Sequence, residues 1–563
     1  MSMRAATRPA SRAVSEQRIA GALLLVLALA LVVAIALPLW ALLSKSVENE
    51  SGAFVGLANF RTYFATPALV AALTNSLFVA LLTTAIVVPL AFIYAYALTR
   101  SHMPFKGAFT ALALLPIFAP SLLAAISLIY IFGNQGFLKP LLFGHSIYGA
   151  IGIVVAQTCY CFPHAVMIIA TALRTSDGRL YEVADALGTK PSRVFFTVTL
   201  PGARYGLISA AFVVFTLVIT DFGIPKVIGG QFNVLATDAY KQIVGQQNFE
   251  MGAVVGLILL LPAVLAFAVD RHIQKRQVAL LSARAVPYEP KRDPARDTLL
   301  LVFCLIVGGI LLAMLGVAVW ASFIQYWPYN MSLTVKHYNF VEYESGGWTP
   351  YFTSLKMAGL VAVFGTALIF TGAYLVEKIR TATVLRSLVH LLAMLPMAVP
   401  GLVLGLGYVF FVNAKWNPLN VFYGTLAVLV VNTIAHFYTV AHITATTALK
   451  QIDGEFESVS ASLKVPFWIT FRRVTVPITM PAILDIAVYM FVNALTTISA
   501  VIFLYGPDTK LASIAVVHMD EAGATAAAAA MATCIVLTAI GAKLTHIVLD
   551  RLIFSRLQVW RKR

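Results

Sequence analysis

The chain has 563 residues, of which 60% are hydrophobic and only 11% are charged. Soluble globular proteins carry about 25% charged residues, so this composition excludes a soluble enzyme or binding module and predicts a polytopic membrane protein. The net charge of +16 would suit a nucleic-acid-binding protein, but the positions of the basic residues argue against that class.

Apolar segments long enough to cross a bilayer recur along the whole chain. A helical span needs about 20 mostly apolar residues, and twelve segments meet that requirement. They lie at about 19–43, 72–98, 107–132, 147–173, 204–228, 250–270, 297–323, 353–376, 384–411, 420–448, 479–505 and 525–549. The predicted fold is therefore all-α, with about twelve transmembrane helices.

Lys and Arg residues collect in alternate connections between these spans. They precede the first span and follow the second, fourth, sixth, eighth, tenth and last, with Arg100 and Lys378 as two examples. In an alternating map all these connections lie on one side of the membrane, which is the positive-inside pattern of cytoplasmic loops. The sequence therefore predicts a multi-pass membrane protein with both termini in the cytoplasm, a lipid bilayer as its surroundings and no nucleic-acid partner.

A basic, polar loop at 175–203 follows the fourth span and contains a spaced motif. Glu182 and Ala184 are followed by Gly188 and then by Leu200-Pro201, in the pattern E-x-A-x3-G-x9-V-x-L-P. Leu180, Val183, Ala184 and Leu187 recur at helical spacing, and Gly188 suits the left-handed residue that ends a helix. The loop is predicted to form a helix–turn–helix along the membrane surface.

The chain divides into two similar halves around a basic cytoplasmic linker. The halves are 1–275 and 297–563, and the linker is 276–296. Leu-Pro-Ile-Phe-Ala-Pro at 115–120 is matched by Leu-Pro-Met-Ala-Val-Pro at 395–400. Because each half has six spans, both enter the membrane in the same orientation, which predicts two parallel repeats.

The second half carries a degenerate copy of the loop at 450–479. Ser458 stands where the first loop has Glu, although Glu457 is adjacent, and Lys464 stands where the first loop has Gly. Pro477 ends the pattern. A lysine in a left-handed turn costs about 1 kcal/mol more than a glycine, so we expect this turn to be rebuilt around Pro466.

Together, the two loops resemble the EAA loop of permease subunits of ABC importers, the cytoplasmic segment that docks into a cleft of the ATPase. The resemblance implies the type I ABC importer permease fold and a location in the bacterial inner membrane. It also implies two copies of a cytoplasmic ABC ATPase and a periplasmic substrate-binding protein as partners. It also implies a set of ATPase-coupling residues. These are Glu182, Ala184, Gly188, Leu200, Pro201, Glu457, Ser458, Lys464 and Pro477.

The resemblance extends to the substrate. The runs 456–467, 493–505 and 507–513 resemble the fused double permeases for 2-aminoethylphosphonate, which is therefore the leading substrate. Ferric iron is the alternative, because fused ferric-iron permeases share the same architecture, and another small polar solute stays open.

Polar residues late in the fifth and eleventh spans are candidates for the translocation path, because polar groups are costly inside a membrane. Asp221 is the candidate in the first half, although a position at the outer membrane interface or the capping of a helix break explains it equally well. The candidates in the second half are Asn493, Thr496, Thr497 and Ser499.

The sequence shows no chemistry of its own for hydrolysing ATP. It has no G-x4-G-K-[ST] phosphate-binding loop, so the ATPase is expected on another chain. No catalytic residue, cofactor or metal site is predicted. A proton-coupled secondary transporter with twelve spans is the rival class. Such a transporter would use buried carboxylates for coupling and would not need the two loops.

Overall fold

The computed structural model describes residues 10–280, Val286, 288–379 and 382–557. Several basic residues that support the predicted orientation, including Arg4, Arg8 and Arg561, lie outside the described residues. So does part of the predicted linker.

Helices account for most of the described chain. Those before the linker are α1 Ala10–Leu31, α2 Leu37–Ser46, α3 Ala58–Ala65, α4 Pro67–Arg100, α5 Lys106–Leu114, α6 Ser121–Phe132, α7 Ala150–Arg174, α8 Arg179–Ala186, α9 Pro191–Val194, α10 Leu200–Thr220, α11 Gly223–Ile228, α12 Leu235–Tyr240 and α13 Phe249–Leu280.

The helices after the linker continue the series. They are α14 Pro294–Ser322, α15 Thr349–Leu360, α16 Thr366–Lys378, α17 Thr383–Met394, α18 Gly401–Val412, α19 Leu426–Lys450, α20 Glu455–Ser462, α21 Phe467–Thr470, α22 Val476–Ile478, α23 Met480–Thr496, α24 Ala512–Glu521 and α25 Thr525–Leu557. A single antiparallel hairpin, β1 Ile324–Tyr326 with β2 Asn330–Leu333, is the strand structure that the described residues contain.

The helix lengths confirm a polytopic, all-α membrane protein. Among the described residues, nine helices are long and apolar enough to cross a membrane, and three further bent pairs bring the number to twelve if each pair counts as one span. The predicted spans 107–132, 384–411 and 479–505 correspond to the bent pairs. The predicted span 204–228 is also divided, because α10 ends at Thr220 and α11 begins at Gly223.

Two of the bends occur at the matching proline motifs. The chain turns by 99° between Lys106–Phe118 and Ser121–Phe132, and by 115° between Thr383–Met397 and Gly401–Val412. A proline disfavours the helical conformation at the residue before it and has no N–H to continue the helical hydrogen bonds. Ala119, which precedes Pro120, is accordingly extended.

The chain forms two compact units, and neither is continuous in sequence. One contains the described residues of Met1–Ser44, Tyr351–Leu511 and Leu537–Arg563, and the other those of Lys45–Pro350 and Ala512–Val536. Within the first unit α1 packs against α16 and α17, and within the second α14 packs against α4, α5 and α6. The units therefore differ from the predicted sequence halves, because the first helix of each half packs with elements of the other half.

The two halves nevertheless repeat the same order of elements around their basic loops. The helix before each loop, the loop helix and the short helix after it recur with a displacement of 276 residues, as in α7 and α19 (Ala150 to Leu426, Arg174 to Lys450). The π-helical turns Phe195–Thr199 and Phe471–Thr475 follow the same displacement. This correspondence allows the two loops to be compared residue by residue.

Candidate coupling loops

The first loop has the helix–turn–helix backbone that its sequence predicts. α8 ends at Ala186, and Gly188 adopts a left-handed conformation with φ of +65°. The N–H of Gly188 donates to Asp185 O at 2.9 Å and that of Thr189 donates to Ala184 O at 2.9 Å, so the last carbonyls of the helix are satisfied. α9 then begins at Pro191, in the first-turn position that suits proline.

Asp177 caps the start of α8. Its carboxylate accepts a hydrogen bond of 3.1 Å from the N–H of Arg179 and forms an ion pair of 2.7 Å with the Arg179 guanidinium. These hydrogen bonds from Arg179 lower the pKa of the Asp177 carboxyl to about 2. Its unfolded pKa is about 3.9, so any stability it adds is complete above about pH 4 and is lost only as the pH falls toward 2. The cap therefore stays charged at physiological pH.

α8 turns an apolar face toward solvent. Leu180, Val183 and Leu187 are exposed, with Leu187 at 77%, while Ala184 is buried. Glu182 is exposed beside this face. Leu200 and Pro201 lie in the first turn of α10, where the chain enters the next long helix. An exposed apolar stripe on a short surface helix is typical of a protein-docking element.

The second loop has the same turn as the first, and the expected rebuilding around Pro466 is wrong. Lys464 is left-handed with φ of +55°, its N–H donates to Ala461 O at 3.1 Å, and the N–H of Val465 donates to Ser460 O at 2.9 Å. These two hydrogen bonds correspond to the two at the Gly188 turn. The flanking helices hold the lysine in a conformation that costs it about 1 kcal/mol.

The remaining positions of the second loop also follow the first. α20 exposes Phe456 and Val459, and Leu463, just after its end, is 70% exposed. These residues correspond to Leu180, Val183 and Leu187. Ser458 is exposed, and its hydroxyl donates to Gly454 O at 3.1 Å.

The chain that follows the second loop differs from the chain that follows the first. Pro477 lies in α22, and a bend of 78° separates Phe467–Ile478 from Met480–Thr496. The first half runs without such a bend from Pro191 to Thr220. Pro481, which has no counterpart in the first half, removes a helical hydrogen bond just after this bend.

The first loop helix is fixed from behind by an arginine. Arg100, the last residue of α4, is only 3% exposed. Its guanidinium donates to Leu173 O at 2.7 Å and to the Ser176 hydroxyl. Its Cζ lies 4.9 Å from the ring centre of Tyr181, the third residue of α8, which is within the range of a cation–π interaction.

The second loop helix is fixed at the same place by a different interaction. Lys378, the last residue of α16, forms an ion pair of 2.9 Å with Glu457 of α20 and donates to Ile452 O at 3.2 Å. Glu457 corresponds to Tyr181 by the displacement of 276. Glu457 therefore binds its own unit rather than solvent, whereas the sequence presented it as an ATPase contact.

These two anchors were not identified from the sequence as parts of the site. Arg100 and Lys378 were counted only as cytoplasmic charges that orient the spans. The signal that could have found them is their position: each ends the long helix two spans before its loop. The partner residues, Tyr181 and Glu457, then differ within an otherwise repeated pattern.

Asp221 lies at the break between α10 and α11. Its carboxylate oxygen Oδ2 accepts a hydrogen bond from Gln157 Nε2 at 2.9 Å and another from the N–H of Ile224 at 2.9 Å. Asp221 thus ties the start of α11 to α7. These contacts are those of a cap at a helix break.

The other pathway candidates belong to the first compact unit, whereas Asp221 belongs to the second. In α23 the side chain of Asn493 donates to Tyr489 O at 2.8 Å, and that of Thr496 donates to Val492 O at 3.0 Å. The helix ends at Thr496. Thr497, the residue that follows, is buried, and Ser499 is partly exposed in the turns after it. At the break that follows α23, the amide of Asn432 donates a hydrogen bond to Ala500 O at 2.7 Å.

Comparison with known proteins gives the same class as the loops. Residues 87–278 match the family model described as binding-protein-dependent transport system inner membrane component. The chain is 28% identical to the ferric transport system permease protein FbpB 1 of Haemophilus influenzae, covering 79% of this chain and 71% of that protein.

Two further relatives extend the comparison. The ferric transport system permease protein FbpB of Actinobacillus pleuropneumoniae is 27% identical, covering 81% of this chain and 67% of that protein. The molybdenum transport system permease protein ModB of Mycobacterium bovis is 30% identical, covering 37% of this chain and 81% of that protein.

The fold and the paired surface loops define a multi-pass membrane permease. The chain belongs to the family of binding-protein-dependent transport system inner membrane components, and it is a permease subunit of an ABC importer. Membership of this family implies an ATPase and a periplasmic binding protein as partners.

Proposed function

We propose that this chain forms the complete transmembrane part of a ferric-iron importer, in which two copies of a cytoplasmic ABC ATPase drive uptake. The observation that carries the proposal is the pair of loops with matching backbones in one polypeptide, at Gly188 and at Lys464. An importer needs one such loop for each ATPase, and a chain that supplies both needs no second permease.

Ferric iron is preferred as the substrate because the relatives that match most of this chain are named as ferric transport permeases. 2-Aminoethylphosphonate, the leading substrate from the sequence, is not supported by these relatives. It is kept as the second candidate because of the runs 456–467 and 493–513.

The substrate is tested by reconstituting the chain in vesicles with its ATPase and its periplasmic binding protein. We expect ATP-dependent uptake of radiolabelled ferric iron and none of radiolabelled 2-aminoethylphosphonate. Uptake of the phosphonate alone would reverse the two candidates. Uptake driven by a pH gradient without the ATPase would contradict the importer and favour a proton-coupled transporter.

The number of subunits is tested separately. Native mass measurement of the assembled complex should give one copy of this chain for two ATPases. Two copies of the chain in each complex would contradict the proposal that one polypeptide supplies both loops.

The proposed roles of the loops follow from their exposed faces. Leu180, Val183 and Leu187 on α8, and their counterparts on α20, offer each ATPase an apolar surface. Gly188 and Lys464 fix the angle at which each helix leaves its turn. A rigid turn lets movement of the ATPase reach the long helices instead of being absorbed by the loop.

The residues beside the helix breaks remain the candidates for the path. The amide of Asn493 and the hydroxyl of Thr496 bond to carbonyls of their own helix, so these polar groups are accommodated in an apolar helix. Each retains an acceptor oxygen for a passing solute. For Asp221 the hydrogen bonds that its carboxylate accepts from Gln157 and Ile224 favour the capping role.

A further inference from the structure

The linker between the halves packs along the first loop helix. Its described residues Val286 and 288–292, called here the linker strap, touch α8 near both ends. At one end the N–H of Gly178 donates to Val286 O at 2.8 Å. At the other, Lys291 Nζ lies 2.7 Å from an Asp185 carboxylate oxygen. The strap therefore runs beside α8 in the same direction.

The first of these contacts satisfies a backbone group of the helix end. Gly178 precedes the first residue of α8, and helix starts leave N–H groups without partners inside the helix. A carbonyl of the strap accepts this one. The contact with Lys291 is an exposed ion pair and adds little by itself. The strong attachment lies between them.

Tyr288 provides that attachment. Its ring centre lies 4.1 Å from that of Tyr181 on α8 and 4.5 Å from Cζ of Arg100. Arg100, Tyr181 and Tyr288 therefore form one cluster, in which a buried guanidinium meets two aromatic rings. Cation–π contacts strengthen when the cation is desolvated, as Arg100 is.

The surroundings hold the strap in place on either side of Tyr288. Pro290 O accepts a hydrogen bond from the ring of His102, just beyond the end of α4. Lys291 O accepts from the Arg296 guanidinium at 2.6 Å. The strap is thus attached both to the end of α4 and to the start of α14, and α8 is attached to the strap.

We propose that the linker strap is part of the coupling apparatus: Tyr288 and Arg100 are positioning residues that hold α8 at the angle at which it meets the ATPase. This inference rests on the proposed coupling role of the first loop. The strap contacts α8 at Tyr181 and Asp185 and leaves Leu180, Val183 and Leu187 exposed for docking. The linker then positions α8 in addition to connecting the two halves.

The test compares three variants of the full chain. Tyr288→Ala removes the ring, Tyr288→Phe retains it, and Glu289→Ala changes the exposed neighbour on the same strap. Hydrogen–deuterium exchange of the amides at 179–187 is measured first, without ATPase. Loss of a desolvated cation–π contact should speed exchange in Tyr288→Ala by about tenfold, and the other two variants should exchange like the wild type.

Coupling is measured next, as solute transported per ATP hydrolysed in vesicles with the ATPase and the binding protein. We expect this ratio to fall by about tenfold in Tyr288→Ala, because α8 then occupies the productive position for a smaller fraction of the time. Tyr288→Phe should restore it. A purely structural role would lower the amount of assembled complex and leave the ratio unchanged.

Two results would overturn the proposal. One is wild-type exchange at 179–187 in Tyr288→Ala, and the other is faster exchange with an unchanged ratio of solute to ATP. If the wild-type complex showed no ATP-driven uptake, the proposed function would fail, while the exchange experiment would still decide whether the strap holds α8. If Tyr288→Ala does not accumulate in the membrane, Tyr288→Leu replaces it, since leucine keeps apolar bulk without an aromatic face.

Discussion

The first and second coupling loops share a backbone but are held by different chemistry. Both helices end in a left-handed residue with the same two hydrogen bonds, although one residue is Gly188 and the other is Lys464. Behind the helices, a buried arginine with aromatic partners holds α8, and an ion pair of Lys378 with Glu457 holds α20. The repeat has therefore kept the geometry of the turn and the position of the anchor, while the anchoring interaction has changed.

The different anchors of the two loops indicate which features of a coupling loop are constrained. A docking helix must present its apolar face at a fixed angle, so its turn and its point of attachment have to stay in place. Several interactions can serve as the attachment, because a cation–π contact and a partly buried ion pair are both worth a few kcal/mol at most. The two loops can then differ in how firmly they are held and still meet the ATPase alike.

The largest effect should come from proline at the two left-handed positions. Proline fixes φ near −65°, whereas Gly188 and Lys464 have φ of +65° and +55° and donate their N–H groups to the preceding helix. Gly188→Pro and Lys464→Pro should each abolish ATP-coupled uptake while the protein still inserts. A turn rebuilt around Pro466, as the sequence suggested, would have tolerated proline at Lys464 better, but the shared geometry predicts equal severity.

Uptake per inserted protein measures this effect, with Gly188→Ala and Lys464→Ala as matched controls that retain the N–H. Normal uptake by Gly188→Pro would count against coupling through this loop. A mild Lys464→Pro beside a severe Gly188→Pro would show that the two loops are not equivalent.

The next largest effect should come from separating the anchor of the second loop. Lys378→Met leaves the partly buried Glu457 carboxylate without its cation, which should cost about 1–3 kcal/mol of stability. The charge-exchanged pair Lys378→Glu with Glu457→Lys should recover part of the loss. Thermal unfolding of the purified chain measures both, and the recovery isolates the pair from the single changes.

Tyr181→Phe in the first loop is the matched control for this prediction. It removes only the hydrogen bond from the Tyr181 hydroxyl to Thr199 Oγ1, 3.0 Å long, and keeps the ring beside Arg100. We expect it to be nearly neutral. A loss as large as that of Lys378→Met would show that Arg100 and the ring do not form the anchor.

A smaller effect should follow from exchanging the two left-handed residues. Lys464→Gly should stabilise the second turn by about 1 kcal/mol, and Gly188→Lys should destabilise the first by a similar amount. A Cβ at Gly188 would meet no atom within 4 Å, so the cost there is that of the backbone alone. Exchange rates of the amides in each loop measure both changes. A much larger loss in Gly188→Lys would mean that the side chain, not the backbone, is excluded.

Local patterns in the sequence predicted the parts of the fold that depend on local forces. The apolar stripe of α8 and the left-handed Gly188 each follow from one or two neighbouring residues. The bends at the paired prolines were not predicted, because 107–132 and 384–411 were each expected to be one span. Hydropathy does not say which spans are neighbours, so the packing of α1 with α16 and α17 was not predicted. The left-handed Lys464 was missed because propensity at one residue is small beside the packing of two flanking helices.

The anchors were missed for a related reason. Counting basic residues on one side of the membrane treats Arg100 as a charge in water, yet it is buried among Tyr181, Tyr288 and backbone carbonyls. Burial of a guanidinium requires partners from several segments at once, and no single stretch of sequence contains them. A comparison of the two repeats would have indicated where each anchoring side chain lies, but not which interaction it makes.

The smallest effect is expected at Asp221, where the comparison extends from the loops to the helix breaks. In each half an amide side chain from the helix before the loop ties a break: Gln157 binds the Asp221 carboxylate, and Asn432 binds the Ala500 carbonyl. In the second half a neutral carbonyl accepts the bond, so the break does not require a charge. Asp221→Asn keeps an acceptor oxygen for the N–H of Ile224, and Asn caps helices about as well as Asp.

Uptake by Asp221→Asn, normalised to inserted protein, should therefore match the wild type. Asp221→Ala is the informative companion, because it leaves both the Gln157 amide and the Ile224 N–H without this acceptor, at a cost of about 1–3 kcal/mol. If Asp221→Asn lost uptake while its association with the ATPase and the binding protein stayed intact, the charge itself would be needed. Asp221 would then belong to the translocation path, and the two breaks would differ in function as the two anchors differ in chemistry.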